Sequence, residues 1–415
     1  MPVSTRLGYW SRSADVPRNA AGLMAALAVG LFCASCVGLH FGFYRELSSD
    51  TVTYQQYGEA ILRGEVPYRD FAVEYPPAAL PTFILPAVVT EDGSAYRRWF
   101  ELLMVLCGAA MVALMAIVLT RVQAGPARLT AALVFAAVAP LAIGRIILTR
   151  YDLWPAALTV AALAAVLSGR VRLGSGVLGL GFAAKVYPAL LLPLVCSFVW
   201  KRRGRREALV CATAFVVVAA ACLVPFAAIA PRGAWHSLLE QGNRPLQIES
   251  FGSAVLLAAH HLFGLGIRME ESHGSQNLAG SLPDTIAAVQ TVLQVAAVVA
   301  VWIWYARGEP TGERLVWASA AAVAAFVAFG KVLSPQFLIW LIPLVPLVRG
   351  RRGLAASALL ASALVLTQTW FPFRYWPDLA VRFDELPSWT VLVRDLALVA
   401  LFVTLIGSLR QPKRV

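Results

Sequence analysis

ELSSDTVTYQQYGEAILRGEVPYRDFAVEYPP, from Glu46 to Pro77, is polar, acidic and aromatic in a chain that is mostly apolar elsewhere. It follows an apolar run, Ala20 to Phe43, which at about 1.5 Å per residue is long enough to cross a hydrocarbon core of roughly 30 Å. Asp50 therefore sits close to where the chain leaves a bilayer, a carboxylate held near a membrane surface and not free in solution. That placement makes it the leading candidate for a catalytic group. The ordinary alternative is a helix N-cap, because SSDTVTYQQYGEAILRG reads as a short interfacial helix opened by Asp50 and stopped by Gly64, with Tyr54, Tyr57 and Ile61 on one face.

Composition sets the class. Of 415 residues, 59% are hydrophobic and 14% charged, with a mean hydropathy of +0.70. Soluble domains run nearer one half apolar and about one quarter charged. The chain reads as an all-α polytopic membrane protein, a single integral domain over residues 1–415. The six cysteines all fall inside apolar runs, so disulfide and zinc roles are not expected. The formal net charge of +12 does not signal nucleic acid. Lys and Arg cluster in short links: Arg121 and Arg128; Arg170 and Arg172; Lys201, Arg202, Arg203, Arg205 and Arg206; Arg349, Arg351 and Arg352. Assigning these links and both termini to the cytoplasm gathers most of the 35 basic residues there and leaves most of the 23 acidic residues elsewhere. This is the positive-inside pattern. It places the multi-pass chain in the plasma membrane with both termini cytoplasmic.

About twelve crossings follow. After Ala20 to Phe43 come Phe100 to Leu119, Leu129 to Ile147 and Leu153 to Leu167. A hairpin of Val177 to Val186 and Ala189 to Trp200 is next, then Leu209 to Ile229, Ile286 to Tyr305, Leu315 to Phe329, Phe337 to Val348, Leu354 to Trp370 and Val391 to Ile406. Pro77 to Val89 is apolar but short and proline-broken, so it reads as re-entrant or interfacial. The outer side gains two large loops, residues 44–99 and 231–284. The second holds RPLQIES and an apolar stretch, Ala254 to Leu265, expected to lie on the membrane.

Cations on the outer side carry more information. Lys185 in KVYP and Lys331 in KVLSP each stand at an outer helix end before a proline, on the same side as Arg145 and Arg150. Snorkelling explains one such lysine, but the set of four reads as a pocket for phosphate at headgroup depth. GSGVLG, Gly174 to Gly179, matches GxGxxG without a preceding strand and reads as packing glycine. The chain has no Walker A, HExxH or DxD sequence. No metal is expected, and no cofactor beyond a lipid-linked sugar donor that serves as substrate.

An aspartate just after the first span, then GEVPYRDFAVEYPP, KVYPALLLP at a hairpin tip and KVLSPQFLIWLIPL near the end form an ordered set. The set resembles the actinobacterial membrane mannosyltransferases of glycosyltransferase family 87, of the GT-C superfamily, over roughly Ala20 to Val348. The resemblance implies a GT-C-like helical fold with an outer-side catalytic cavity. It also implies a polyprenyl-phosphate mannose donor and a base carboxylate in the first outer loop, the position that Asp50 matches.

The chemistry fits the residues independently. Transfer from a sugar phosphate to a hydroxyl needs a base for the acceptor proton, whereas phosphate leaves as a stable anion without an acid. Asp50 is then the base, and Lys185, Lys331, Arg150 and Arg145 steady the phosphate as its charge grows. Glu74, Tyr75, Arg244, Gln247 and Glu249 are candidates for holding sugar hydroxyls. The acceptor would be a glycolipid or lipoglycan. Alternatives are another polyprenyl-linked sugar (arabinose or glucose), a lipid or glycan transporter, and a non-catalytic assembly partner.

Overall fold

A computed structural model describes residues 18–41 and 50–409. The start of the opening polar stretch, residues 46–49, and the terminal polar segments lie outside the described residues. The described residues form a helical bundle with one small sheet. Among them, seven helices are long and apolar enough to cross a bilayer. They are α1 (Arg18–Phe41), α4 (Gly93–Arg121), α5 (Pro126–Ile143), α10 (Arg205–Ile229), α13 (Ser281–Arg307), α15 (Gly350–Trp370) and α16 (Glu385–Leu409). Shorter helices complete the bundle: α7 (Leu153–Leu167), α8 (Val171–Ala184), α9 (Leu192–Arg203) and α14 (Gly312–Ala328).

The core forms around α7 and α14. In α14 the run from Ala318 to Ala325 is buried on every side. Its small residues let neighbouring backbones approach closely, the usual device where lipid removes the hydrophobic drive for association. The GSGVLG glycines serve the same end. A Cβ on Gly174 would overlap the Ala162 carbonyl of α7, and one on Gly179 the Phe215 carbonyl of α10. Leu23, Leu27 and Leu31 on α1, Val216, Val217 and Val224 on α10, and Val292 and Val295 on α13 stay exposed. Together they form the apolar belt that a bilayer covers.

The basic links meet at one end of the bundle. There Glu313 takes Arg128 and Arg349, each at 3.3 Å, and Arg172 pairs with Glu207 at 2.8 Å. The opposite end is built from the longer connections. Helix α2 (Thr51–Leu62) packs on α3 (Leu80–Val89), ten residues that are too short to span. A four-residue turn, α6 (Ile146–Thr149), joins α5 to α7. The long connection after α10 folds into α11 (Pro231–Asn243), β1 (Leu246–Gln247), α12 (Phe251–Phe263), β2 (Met269–Ser272) and β3 (Ser275–Leu278). The three strands pair antiparallel in the order β1-β3-β2.

One expectation is corrected. Phe337 to Val348 is not an α-helix but two buried 3-10 turns, Pro335–Trp340 and Val345–Leu347. Pro343 and Pro346 remove the N–H groups that a continuous helix needs, and the irregular backbone survives because protein surrounds it. The stretch from Ala254 to Leu265 lies mostly in α12, which buries Ala254, Leu256 and Leu257 against α16 and the sheet and leaves Val255, Leu262 and Phe263 exposed on its other side.

Candidate active site

The site grows from the tripeptide Arg150-Tyr151-Asp152 in the turn that opens α7. Gly144, at φ +75°, ends α5. One helical turn follows, and Arg150 is extended at φ −117°, ψ 146°. These three residues then point to three partners. Arg150 forms an ion pair with Asp50. Tyr151 is buried in a ring cluster with Tyr54, Tyr75 and Phe83. Asp152 is fully buried, and its Oδ1 accepts from Lys185 Nζ and from Trp340 Nε1, each at 2.6 Å.

Asp50 opens α2 as expected, yet its side chain caps nothing among the described residues. It faces Arg150 and receives the Tyr75 hydroxyl at 3.3 Å, with 34% of the side chain exposed. An N-cap aspartate spends its oxygens on the first backbone N–H groups. This one spends them on a cation and a phenol across the loop.

Lys185 ends α8 in extended geometry. Its ammonium lies 4.5 Å from the centre of the Tyr151 ring and 5.3 Å from that of Trp340. Burial brings Arg150 down to about 10, opposed by Asp152 and then by Glu249. Asp152 thus faces both the Lys185 ammonium and the Arg150 guanidinium in a dry setting. Among the described residues its Oδ2 has no hydrogen-bond partner.

RPLQIES forms the next wall. Gln247 donates to Glu249 Oε2 at 2.5 Å, and Arg394 of α16 donates to the Glu249 carbonyl at 2.7 Å. Burial pushes the Glu249 carboxyl up to about 8 against the pull of Arg394. That shift favours the protonated carboxyl. Lys331 reaches this wall through its backbone, its carbonyl accepting from the Gln247 N–H at 3.0 Å, while its ammonium donates to the Gly242 carbonyl of α11 at 3.0 Å. Arg244 donates to the His273 carbonyl at 2.9 Å.

Arg145 takes a different course. It is buried and turned to Glu101 of α4 at 2.8 Å, where His40 also binds at 2.6 Å and Arg97 at 3.4 Å. Asp50, Tyr75, Arg150 and Lys185 converge on one patch through the turn before α7. Gln247, Glu249 and Arg244 flank that patch. Arg145 belongs to a neighbouring ion cluster.

Asp152 is the residue that the sequence failed to single out. Its place in Arg150-Tyr151-Asp152 marks it as a carboxylate at the outer end of a span, but nothing local shows that Lys185 and Trp340 meet it. Among the described residues no group of three or more His, Cys, Asp or Glu side chains is arranged to hold a metal ion.

Comparison with known proteins agrees with this architecture. A family model described as glycosyltransferase family 87 matches residues 73–335. The crystal structure of ArnT from Cupriavidus metallidurans bound to undecaprenyl phosphate superposes with a TM-score of 0.50 at 13% identity, covering 95% of this chain and 78% of that one. No curated protein sequence matches. The fold is that of a GT-C membrane glycosyltransferase. The chain belongs to glycosyltransferase family 87, which sets aside the transporter reading. Arg150, Asp152, Lys185, Glu249 and Lys331 fall within the matched residues, and Asp50 precedes them.

Proposed function

We propose that this glycosyltransferase moves a mannosyl residue from polyprenyl-phosphate mannose to a hydroxyl of a glycolipid or lipoglycan on the outer side of the plasma membrane, with inversion at the anomeric carbon. One observation carries the reading: Asp50, uncommitted as a helix cap, is paired with Arg150 beside the Lys185–Asp152 pair. An arriving phosphate competes for the guanidinium and the ammonium. Asp50 is then released to accept the proton of the acceptor hydroxyl. The hydroxyl oxygen bonds to C1, the C1–O bond to phosphate breaks, and polyprenyl phosphate departs as an anion. Arg150 and Lys185 meet the charge that grows on it. Glu74, Tyr75, Arg244, Gln247 and Glu249 supply donors and acceptors for sugar hydroxyls.

A lipid-linked donor suits a site at the loop-rich end of a membrane bundle. Burying the prenyl chain is worth about 0.8 kcal/mol per CH₂, so the bilayer concentrates the donor. The structural neighbour bound to undecaprenyl phosphate supports a donor of this type. The reading uses no metal and no soluble nucleotide sugar.

The test is transfer in membranes supplied in turn with radiolabelled polyprenyl-phosphate mannose, arabinose and glucose, with the product's anomeric configuration read by NMR. Mannosyl transfer giving an α-mannoside from a β-linked donor is the expected result. Transfer of arabinose or glucose alone, or retention of configuration, contradicts the proposal.

A further inference from the structure

A cleft of about 390 Å³ opens beside the patch just described, between residues 68–74, helix α11 and the turn that joins β2 to β3. None of the cations assigned to phosphate lines it. Its volume lies within the range of about 300–1,000 Å³ usual for small-molecule sites. Its walls are built and not incidental. The Tyr68 hydroxyl donates to the Tyr75 carbonyl at 2.6 Å, which fixes the loop. Gly233 of α11 lies so close to the Tyr68 carbonyl that a Cβ there would overlap it. On the far side Arg244 is tied to the His273 carbonyl, and the Glu74 carboxylate lies against Gly274.

The lining chemistry points to a neutral, hydroxyl-rich ligand. Arg69 and Arg244 are matched by Asp70 and Glu74, so the cleft carries no net positive charge to draw a phosphate. Arg69 and Asp70 are already paired at 2.9 Å. Alternating donors and acceptors beside the rings of Tyr68 and Phe71 suit the vicinal hydroxyls and apolar faces of a sugar. The connection to chemistry is short, because Glu74 lines the cleft while the next residue, Tyr75, reaches Asp50.

We infer that this cleft is the acceptor subsite, seating the carbohydrate head of the acceptor so that one hydroxyl passes Tyr75 to reach Asp50. The inference rests on the transferase reading above and adds where the second substrate binds. The donor enters from the side of Arg150 and Lys185, and the acceptor from the side of the loop.

The test uses the full-length protein in nanodiscs and two variants. Ser237→Trp fills the cleft from α11, and Arg69→Ala removes a solvent-facing donor that burial does not require. Transfer from polyprenyl-phosphate mannose to octyl mannosides gives donor and acceptor KM separately. Saturation-transfer NMR with methyl mannobioside and other methyl glycosides, without donor, reads binding alone. Both variants are expected to raise acceptor KM by about tenfold or more relative to donor KM, the loss of roughly one well-made polar contact, and to lose the NMR signal. Unchanged acceptor KM in both variants, or a rise in donor KM instead, overturns the inference and leaves the transferase reading standing. If the wild type transfers no mannose, the transferase reading fails and the NMR decides the cleft. A signal lost in the variants keeps it as a glycan site, whereas a signal that is absent from the wild type or equal in all three proteins overturns it.

Discussion

Two arginines five positions apart, Arg145 and Arg150, lie on either side of the short turn before α7 and end in opposite circumstances. Arg145 is sealed against Glu101, whose side chain is 5% exposed, with His40 and Arg97 completing the cluster. Arg150 meets Asp50, whose side chain is 34% exposed. Both pairs join a carboxylate to a guanidinium at the same end of the bundle. The sealed pair fastens α4 to the junction of α5 and α6. The open pair is partly exposed, and in the proposed mechanism a phosphate competes for its cation. Exposure, not residue type, separates an ion pair that holds helices together from one that can take part in chemistry.

Variants at each pair sharpen that contrast. The largest effect is expected at the sealed pair. Glu101→Gln removes the carboxylate that Arg145, His40 and Arg97 share, and breaking a buried pair costs about 3–5 kcal/mol. A thermal melt in detergent should show a large drop in Tm, with turnover per folded molecule retained. Arg150→Ala should do the reverse. Its Tm should stay near that of the wild type while kcat falls about 10²–10³-fold, the usual loss when one stabiliser of transition-state charge is removed. A collapse in stability without that kinetic loss would move Arg150 into the class of Arg145.

Trp340→Phe is milder. It removes one of the two donors to Asp152 and should raise donor KM by about tenfold, the equivalent of 1–2 kcal/mol for a buried acceptor left short of a partner. Steady-state kinetics with varied donor would show it, and an unchanged KM would mean that Lys185 is held without the tryptophan.

The smallest effect concerns pH. The Glu249 carboxyl is raised from an ordinary 4.5 to about 8 by burial. The folded state therefore holds a proton that the unfolded state releases between those values, so this group's contribution to stability is full below pH 4.5 and is lost as pH rises through about 8. Glu249→Gln should flatten the fall in Tm over that window. A Tm profile identical to that of the wild type would show that burial leaves Glu249 ionised.

The long spans were legible because apolar length is sufficient evidence for a crossing, and Gly93–Arg121 covers the span expected from Phe100 to Leu119. The segment from Phe337 to Val348 shared that composition. Its prolines carried the decisive information, and their effect depends on neighbours that bury the irregular backbone. The strands Met269–Ser272 and Ser275–Leu278 have no alternating pattern to announce them. Within the site, Asp50, Tyr75, Arg150 and Lys185 were legible as polar residues at span ends. The fate of Arg145 was not, because its partner Glu101 lies 44 residues upstream in an apolar helix. Asp152 was missed for the same reason, since Lys185 and Trp340 come to it from 33 and 188 residues away. Local sequence reports which residues reach the surface of a span, and only packing reports which of them are used up there.

The most direct test of the central claim, that Asp50 takes the acceptor proton, is mannosyl transfer from labelled polyprenyl-phosphate mannose by wild type and Asp50→Asn in the same membranes, normalised to folded protein. The predicted result is a loss of about 10²–10⁴-fold in the variant, the usual contribution of a general base, with an unchanged melting temperature. Equal transfer by the two proteins would contradict it and return Asp50 to the role of an opening residue of α2.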